Sequence, residues 1–158
     1  MSFFVINEWI WHNLSENHDT LEFREAVTVV YGISELKHSM VILRGSRFEY
    51  KLNHFVDRSG STRVTRELSA VIRDAIYINA GKCIWIENED VPPFPDNLAG
   101  IKEEDQYLVR AQLCVPSSII VSTDEPLMKI LRQAELPFQT RNDFVRQIQK
   151  EMDELNRL

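Results

Sequence analysis

Two kinds of apolar pattern alternate along this chain. Phe3–Ile6, Lys82–Ile86 and Ile119–Val121 are short, nearly continuous runs. That pattern predicts strands covered on both faces, as in a parallel sheet. Between them, apolar residues recur at helical spacing. Phe23, Ala26, Val27, Val30, Ile33 and Leu36 predict a helix to about Lys37, with Val29 and Tyr31 widening its stripe and Gly32 weakening it slightly. Asp19-Thr20-Leu21-Glu22 reads as its capping box, with Asp19 as the cap. Trp9, Ile10 and Leu14 suit a shorter helix, with Trp11 partly covered.

Further helices follow from Phe48, Leu52 and Phe55, and from Val64, Leu68, Val71, Ile72 and Ala75 up to about Tyr77. The polar stretch Arg58 to Thr62 separates them as a loop. Leu108, Ala111, Leu113 and Cys114 predict the next helix, with Asp105 in its first turn and Pro116-Ser117-Ser118 ending it. A helix over Leu127 to Ala134 and a last one carrying Phe144, Ile148, Met152 and Leu155 complete the set. Leu136-Pro137-Phe138 reads as an edge strand. Met40–Leu43 is either a minor strand or a buried lead-in to a helix, and periodicity does not decide between them. Glu87 to Gly100, acidic and with three prolines, reads as a stiff irregular loop and a candidate rim or lid. Strands separated by helices indicate an α/β fold with a parallel sheet and right-handed crossovers.

Composition narrows the class. The 158 residues, 44% hydrophobic and 27% charged, suit one domain with a sizeable core, over 1–158. No apolar run is long enough to cross a bilayer, and the first residues lack a basic segment before the apolar one, which argues against a signal peptide and a membrane partner. Cys83 and Cys114 lie in apolar segments and read as buried free thiols of a cytoplasmic protein. The net charge of −6 argues against whole-surface binding of nucleic acid but leaves room for a local basic patch. His12, His18, His38 and His54 show no metal-ligand spacing.

The candidate chemistry is acidic. Asn7-Glu8, Glu49, Asp105 and Asp124 fall near strand ends or helix starts. The carboxyl edge of a parallel sheet is where ligands bind, and one helix–strand unit would bring Asp105 and Asp124 to it. Clustered carboxylates repel unless a cation joins them, and Mg²⁺ or Mn²⁺ suits oxygen ligands. A bound cation acidifies water and polarises a phosphodiester oxygen. Taken singly, Asp105 and Asp124 also suit ordinary helix-start carboxylates, and Glu49 a solvated helix residue. Arg44, Arg47, Lys51, Arg58, Arg63, Arg66 and Arg73 are either an RNA-backbone track or a solvated surface paired with Asp57, Glu67 and Asp74. The second reading is the simpler.

Phe3-Phe4-Val5-Ile6-Asn7, Ser46-Arg47-Phe48-Glu49, Asp105-Gln106-Tyr107-Leu108 and Ile119-Ile120-Val121-Ser122-Thr123-Asp124, in this order, resemble a PIN domain. The resemblance spans roughly Phe3 to Phe138 and leaves an additional C-terminal helix over 140–158. It implies a three-layer α/β/α sandwich with a mainly parallel sheet, and a metal-dependent endoribonuclease of the toxin–antitoxin or RNA-processing kind. Glu49, Asp105 and Asp124 match acidic positions that would be catalytic and hold Mg²⁺ or Mn²⁺. Arg44, Arg47 and Lys51 would meet the RNA. The implied partners are RNA and an antitoxin or other protein. Asn7 departs from the family, whose first strand normally ends in Asp. A neutral amide oxygen is a poorer ligand for Mg²⁺, with Glu8 as the neighbouring substitute. This departure carries a competing reading: a PIN-like domain without catalysis, binding RNA or protein. A phosphate-accepting regulatory domain fits less well, because it needs an acidic pair after the first strand. The last helix is most simply core cover, with a homodimer or partner contact as the alternative.

Overall fold

The computed structural model describes residues 1–57 and 62–158. Arg58–Ser61, most of the expected polar loop, lie outside the described residues. Strand β1 (Ser2–Ile6) leads into α1 (Trp9–Leu14) and α2 (Leu21–Glu35). Then come β2 (His38–Leu43), α3 (Arg47–Val56) and α4 (Arg63–Val71), which continues as a π-helical turn over Ile72–Tyr77. After β3 (Cys83–Ile86) follow α5 (Gln106–Cys114), β4 (Ile119–Ser122), α6 (Glu125–Gln133), β5 (Phe138–Thr140) and α7 (Arg141–Asn156).

Among the described residues the strands form one five-stranded parallel sheet, ordered β3-β2-β1-β4-β5. Alternate side chains leave opposite faces of a strand. Phe4 and Ile6 of β1, Met40 and Ile42 of β2, and Val121 of β4 pack with α1, α2, α3, α4 and α7. Val5, Val41, Leu43 and Ile120 pack on the other face with α5 and α6. This is a three-layer α/β/α sandwich, the expected architecture.

Several local expectations are corrected. The segment left open at Met40–Leu43 is a strand, every residue of it buried, beside β1 in the middle of the sheet. The cap of α2 is Thr20, whose hydroxyl accepts from Phe23 N at 3.1 Å, and not Asp19. Trp11 is buried, wedged against Phe48 and Phe55 of α3. Val64, in the first turn of α4, is exposed, and Ile76 in the π-helical turn is buried. In α5, Val109 and Gln112 are buried, whereas Leu113 and Cys114 are half-buried. Gln112 enters the core because its amide donates to the carbonyls of Ser118 (3.0 Å) and Pro137 (2.7 Å). Cys83 is buried as expected, and burial pushes its thiol up to about 12.

The C-terminal helix is no appendage. Phe144 and Ile148 of α7 are fully buried, and Phe144 stacks at a tilt on Phe4 with ring centroids 4.8 Å apart. Leu155, expected on the same stripe, is exposed. Arg141 is buried at the start of α7, where its Nε donates to Asn13 Oδ1 at 2.9 Å and its guanidinium lies over Trp9. No helix among the described residues is long and apolar enough to cross a membrane.

Candidate functional site

The strand order reverses between β1 and β4: the chain winds from β1 outward to β3, then returns to β4 and winds the other way. Such a switch point opens a crevice at the carboxyl ends of the two strands. Asn7 and Glu8 follow β1 there, and Ser122 to Asp124 end β4. Asp105 arrives from the N-terminus of α5, after a short 3-10 turn over Glu103–Asp105.

Asp105 and Asp124 line the same small pocket, about 50 Å³, together with Gly100, Ile101, Lys102 and Leu127. Burial, then the charges of Asp124, Glu104 and Glu8, push the Asp105 carboxyl above its ordinary range, against a smaller opposing pull from Lys102. The carboxylates expected to meet therefore do feel one another. Asp124 also caps α6, its Oδ1 accepting from Leu127 N at 3.0 Å. The cap foreseen for it is present.

Asn7 is fixed by a network. Its Oδ1 accepts from Glu8 N at 2.7 Å and from the Tyr107 hydroxyl at 3.3 Å. Its Nδ2 donates to Ser122 Oγ at 3.2 Å, and that oxygen also accepts from Asp124 N at 3.0 Å. An aspartate at position 7 has no such donor. Tyr107 is raised well above the usual phenol range by burial first, then by Glu8 and Asp105, with Arg47 opposing. It is a neutral hydrogen-bond donor at any physiological pH.

Glu8 sits at the start of α1 with its Oε1 3.4 Å from both Arg47 Nε and Lys51 Nζ, while Arg47 Nη1 reaches Glu104 Oε2 at 3.5 Å. Glu8 Oε1 is buried and makes no hydrogen bond. Arg47 and Lys51 thus lie at the site, but committed to its acids.

Glu49 is not brought to the pocket. Its Oε2 accepts from Arg44 Nη1 at 3.0 Å and its Oε1 from Gly45 N at 3.0 Å, so both oxygens are engaged at the start of α3. Gly45 has a φ of +79°, the left-handed turn that presents its N–H to Glu49. Arg44 lies over the Trp85 ring at 4.0 Å and reaches Glu87 at 3.6 Å. The expected ligand at 49 and the expected RNA contact at 44 therefore form an ion pair with each other. Further along, Arg63 pairs with Glu67 at 2.9 Å and Arg73 with Asp74 at 3.0 Å, the solvated-surface arrangement.

Among the described residues, no three His, Cys, Asp or Glu side chains are already grouped as a metal cage. The two carboxylates at the switch point are nonetheless of the type that suits a hard cation, with Glu8 as the next acid. Glu8, the neighbouring substitute for the acid missing at position 7, is near enough for its charge to act on Asp105, while its Oε1 faces Arg47 and Lys51. Sequence reasoning missed Tyr107 and Ser122, whose only signal is their place beside Asp105 and Asp124. No family model matches the chain, and neither curated proteins nor solved structures give a match.

Proposed function

We propose that this chain is a PIN-like, divalent-cation-dependent nuclease acting on RNA. Asp105 and Asp124 would hold Mg²⁺ or Mn²⁺, with Glu8 as the third acid; Asn7 Oδ1 already accepts from Glu8 N and Tyr107 and would stay outside the ligand set. One observation carries this reading: Asp105 and Asp124 share a small pocket at the β1/β4 switch point. The pocket is large enough to admit an ion with its water. When bound, the ion supplies an acidified water and polarises a phosphodiester oxygen. The chain's own part is to bury Asp105 beside Asp124, hold Asn7 through Ser122 and Tyr107, and set Arg47 and Lys51 beside the crevice for phosphates. Glu49 stays outside the ligand set. The RNA preference comes from the PIN resemblance.

A calorimetric Mn²⁺ titration, paired with an RNA-cleavage assay, tests the reading. The wild type binds Mn²⁺ and cleaves; Asp105→Asn and Asp124→Asn bind at least about tenfold more weakly and do not cleave. Equal activity in all three proteins, or none in the wild type, rejects it.

A second reading has its own support. Asn7 donates where an acid is expected, and Arg47 and Lys51 already balance Glu8. Such a site needs no cation, and the domain would then bind RNA or a protein without cleaving. It predicts no Mn²⁺ heat and no thermal shift.

A further inference from the structure

The α1–α3 packing that buries Trp11 leaves a cleft of about 320 Å³ on its outer side. We infer that this cleft is a nucleobase subsite, taking one unstacked base of the RNA whose phosphates pass Arg47 and Lys51. The inference rests on the RNA reading above and adds where a base is held.

Trp11 and Phe55, both buried, form its wall, with ring centroids 5.8 Å apart. Tyr50, His54, His12 and Lys51 edge it. Tyr50 is 74% exposed, a large ring left to solvent at the rim. Flat side chains with cationic or neutral edges are what a single-stranded base and its phosphate require. The acids nearby are already engaged: Glu16 lies 3.6 Å from His12, and Glu8 lies 3.4 Å from Lys51.

Position links the cleft to the acidic crevice. Arg47, Tyr50, Lys51 and His54 fall at helical spacing on one face of α3. Arg47 and Lys51 touch Glu8 at the crevice, and Lys51 also lines the cleft. From Arg47 to His54 is ~10 Å along the helix axis. The small pocket admits an ion and the cleft admits a ring, so the two divide the work that RNA binding needs. Its size is at the low end of small-molecule pockets, about 300–1,000 Å³.

The probe is a labelled single-stranded RNA oligonucleotide, titrated by fluorescence anisotropy in EDTA, beside an abasic oligonucleotide of equal length and charge. Tyr50→Ala is expected to weaken RNA binding about fivefold or more, the loss of one base stack, and Tyr50→Phe to restore it. The abasic strand should bind the wild type more weakly by a similar factor and ignore Tyr50→Ala. Because Tyr50 is exposed, the variant should keep the wild-type melting curve. Unchanged affinity in Tyr50→Ala, or equal binding of abasic and intact RNA, overturns the inference. So does a wild type that binds no RNA, which leaves the cleft to a protein segment. RNA binding that depends on Tyr50, with no cleavage in Mn²⁺, sinks the nuclease reading alone.

Discussion

Asp124 offers a way to separate a structural carboxylate from a functional one. Its Oδ1 caps α6 through Leu127 N at 3.0 Å, and its charge presses on Asp105. Asparagine caps a helix about as well as aspartate, whereas alanine does not. Asp124→Asn and Asp124→Ala both remove the charge, so their difference isolates the cap. Losing a cap costs ~1 kcal/mol. In a domain of this length that is ~2–4 °C in Tm. Asp124→Ala should therefore melt ~2–4 °C below Asp124→Asn, in calorimetric scans at pH 7 without metal. Adding Mn²⁺ at a hundred times the wild-type Kd should stabilise the wild type by ~2.7 kcal/mol, or ~5–11 °C, and Asp124→Asn, binding at least about tenfold more weakly, by at most ~1.4 kcal/mol. Two outcomes would refute the reasoning. If the variants melt together, the 3.0 Å contact does not cap α6. If Asp124→Asn keeps the full Mn²⁺ shift, Asp124 is no part of a metal site.

Asp105 binds its proton more tightly folded than unfolded, so it costs stability as pH rises through its raised value. Asp105→Asn should then be more stable than wild type at pH 7 in EDTA, with the gap closing toward about pH 4, where the unfolded carboxyl is itself protonated; denaturant titrations across pH check this, and a gap that widens on acidification would contradict it. Glu49→Gln should leave Mn²⁺ affinity within about twofold of wild type, because Arg44 and Gly45 already hold both oxygens; a tenfold loss in calorimetry would return Glu49 to the ligand set. At Gly32, an added Cβ would lie 2.2 Å from Ile148 Cγ2, about 1.3 Å short of ordinary contact. Overpacking of ~1–3 kcal/mol should exceed the ~1 kcal/mol that alanine gains in helix propensity, so Gly32→Ala should lower urea stability, and a more stable variant would show that α7 yields freely.

The amino-acid sequence alone determined the class of this protein. Continuous runs such as Ile119–Val121 suit a covered parallel sheet, where the backbone is satisfied and both faces are buried, and the periodic segments between them suit crossover helices. It also placed Asp105 and Asp124 together, because one helix and one strand return the chain to the same edge. Other features depend on partners distant in sequence. Met40–Leu43 is a central strand because Phe4 and Cys83 lie on either side of Met40. Gly32, which reads as a weak point in α2, is where Ile148 of α7 comes closest. Glu49 turned to Arg44 and Glu8 drew Arg47 and Lys51, pairings that spacing does not encode, since a flexible charged side chain takes whichever opposite charge the fold brings near. His12 and His54, scattered along the chain, meet at one cleft only because α1 packs on α3. Periodicity records which face of an element is buried, but only the packed layers decide which side chains become neighbours.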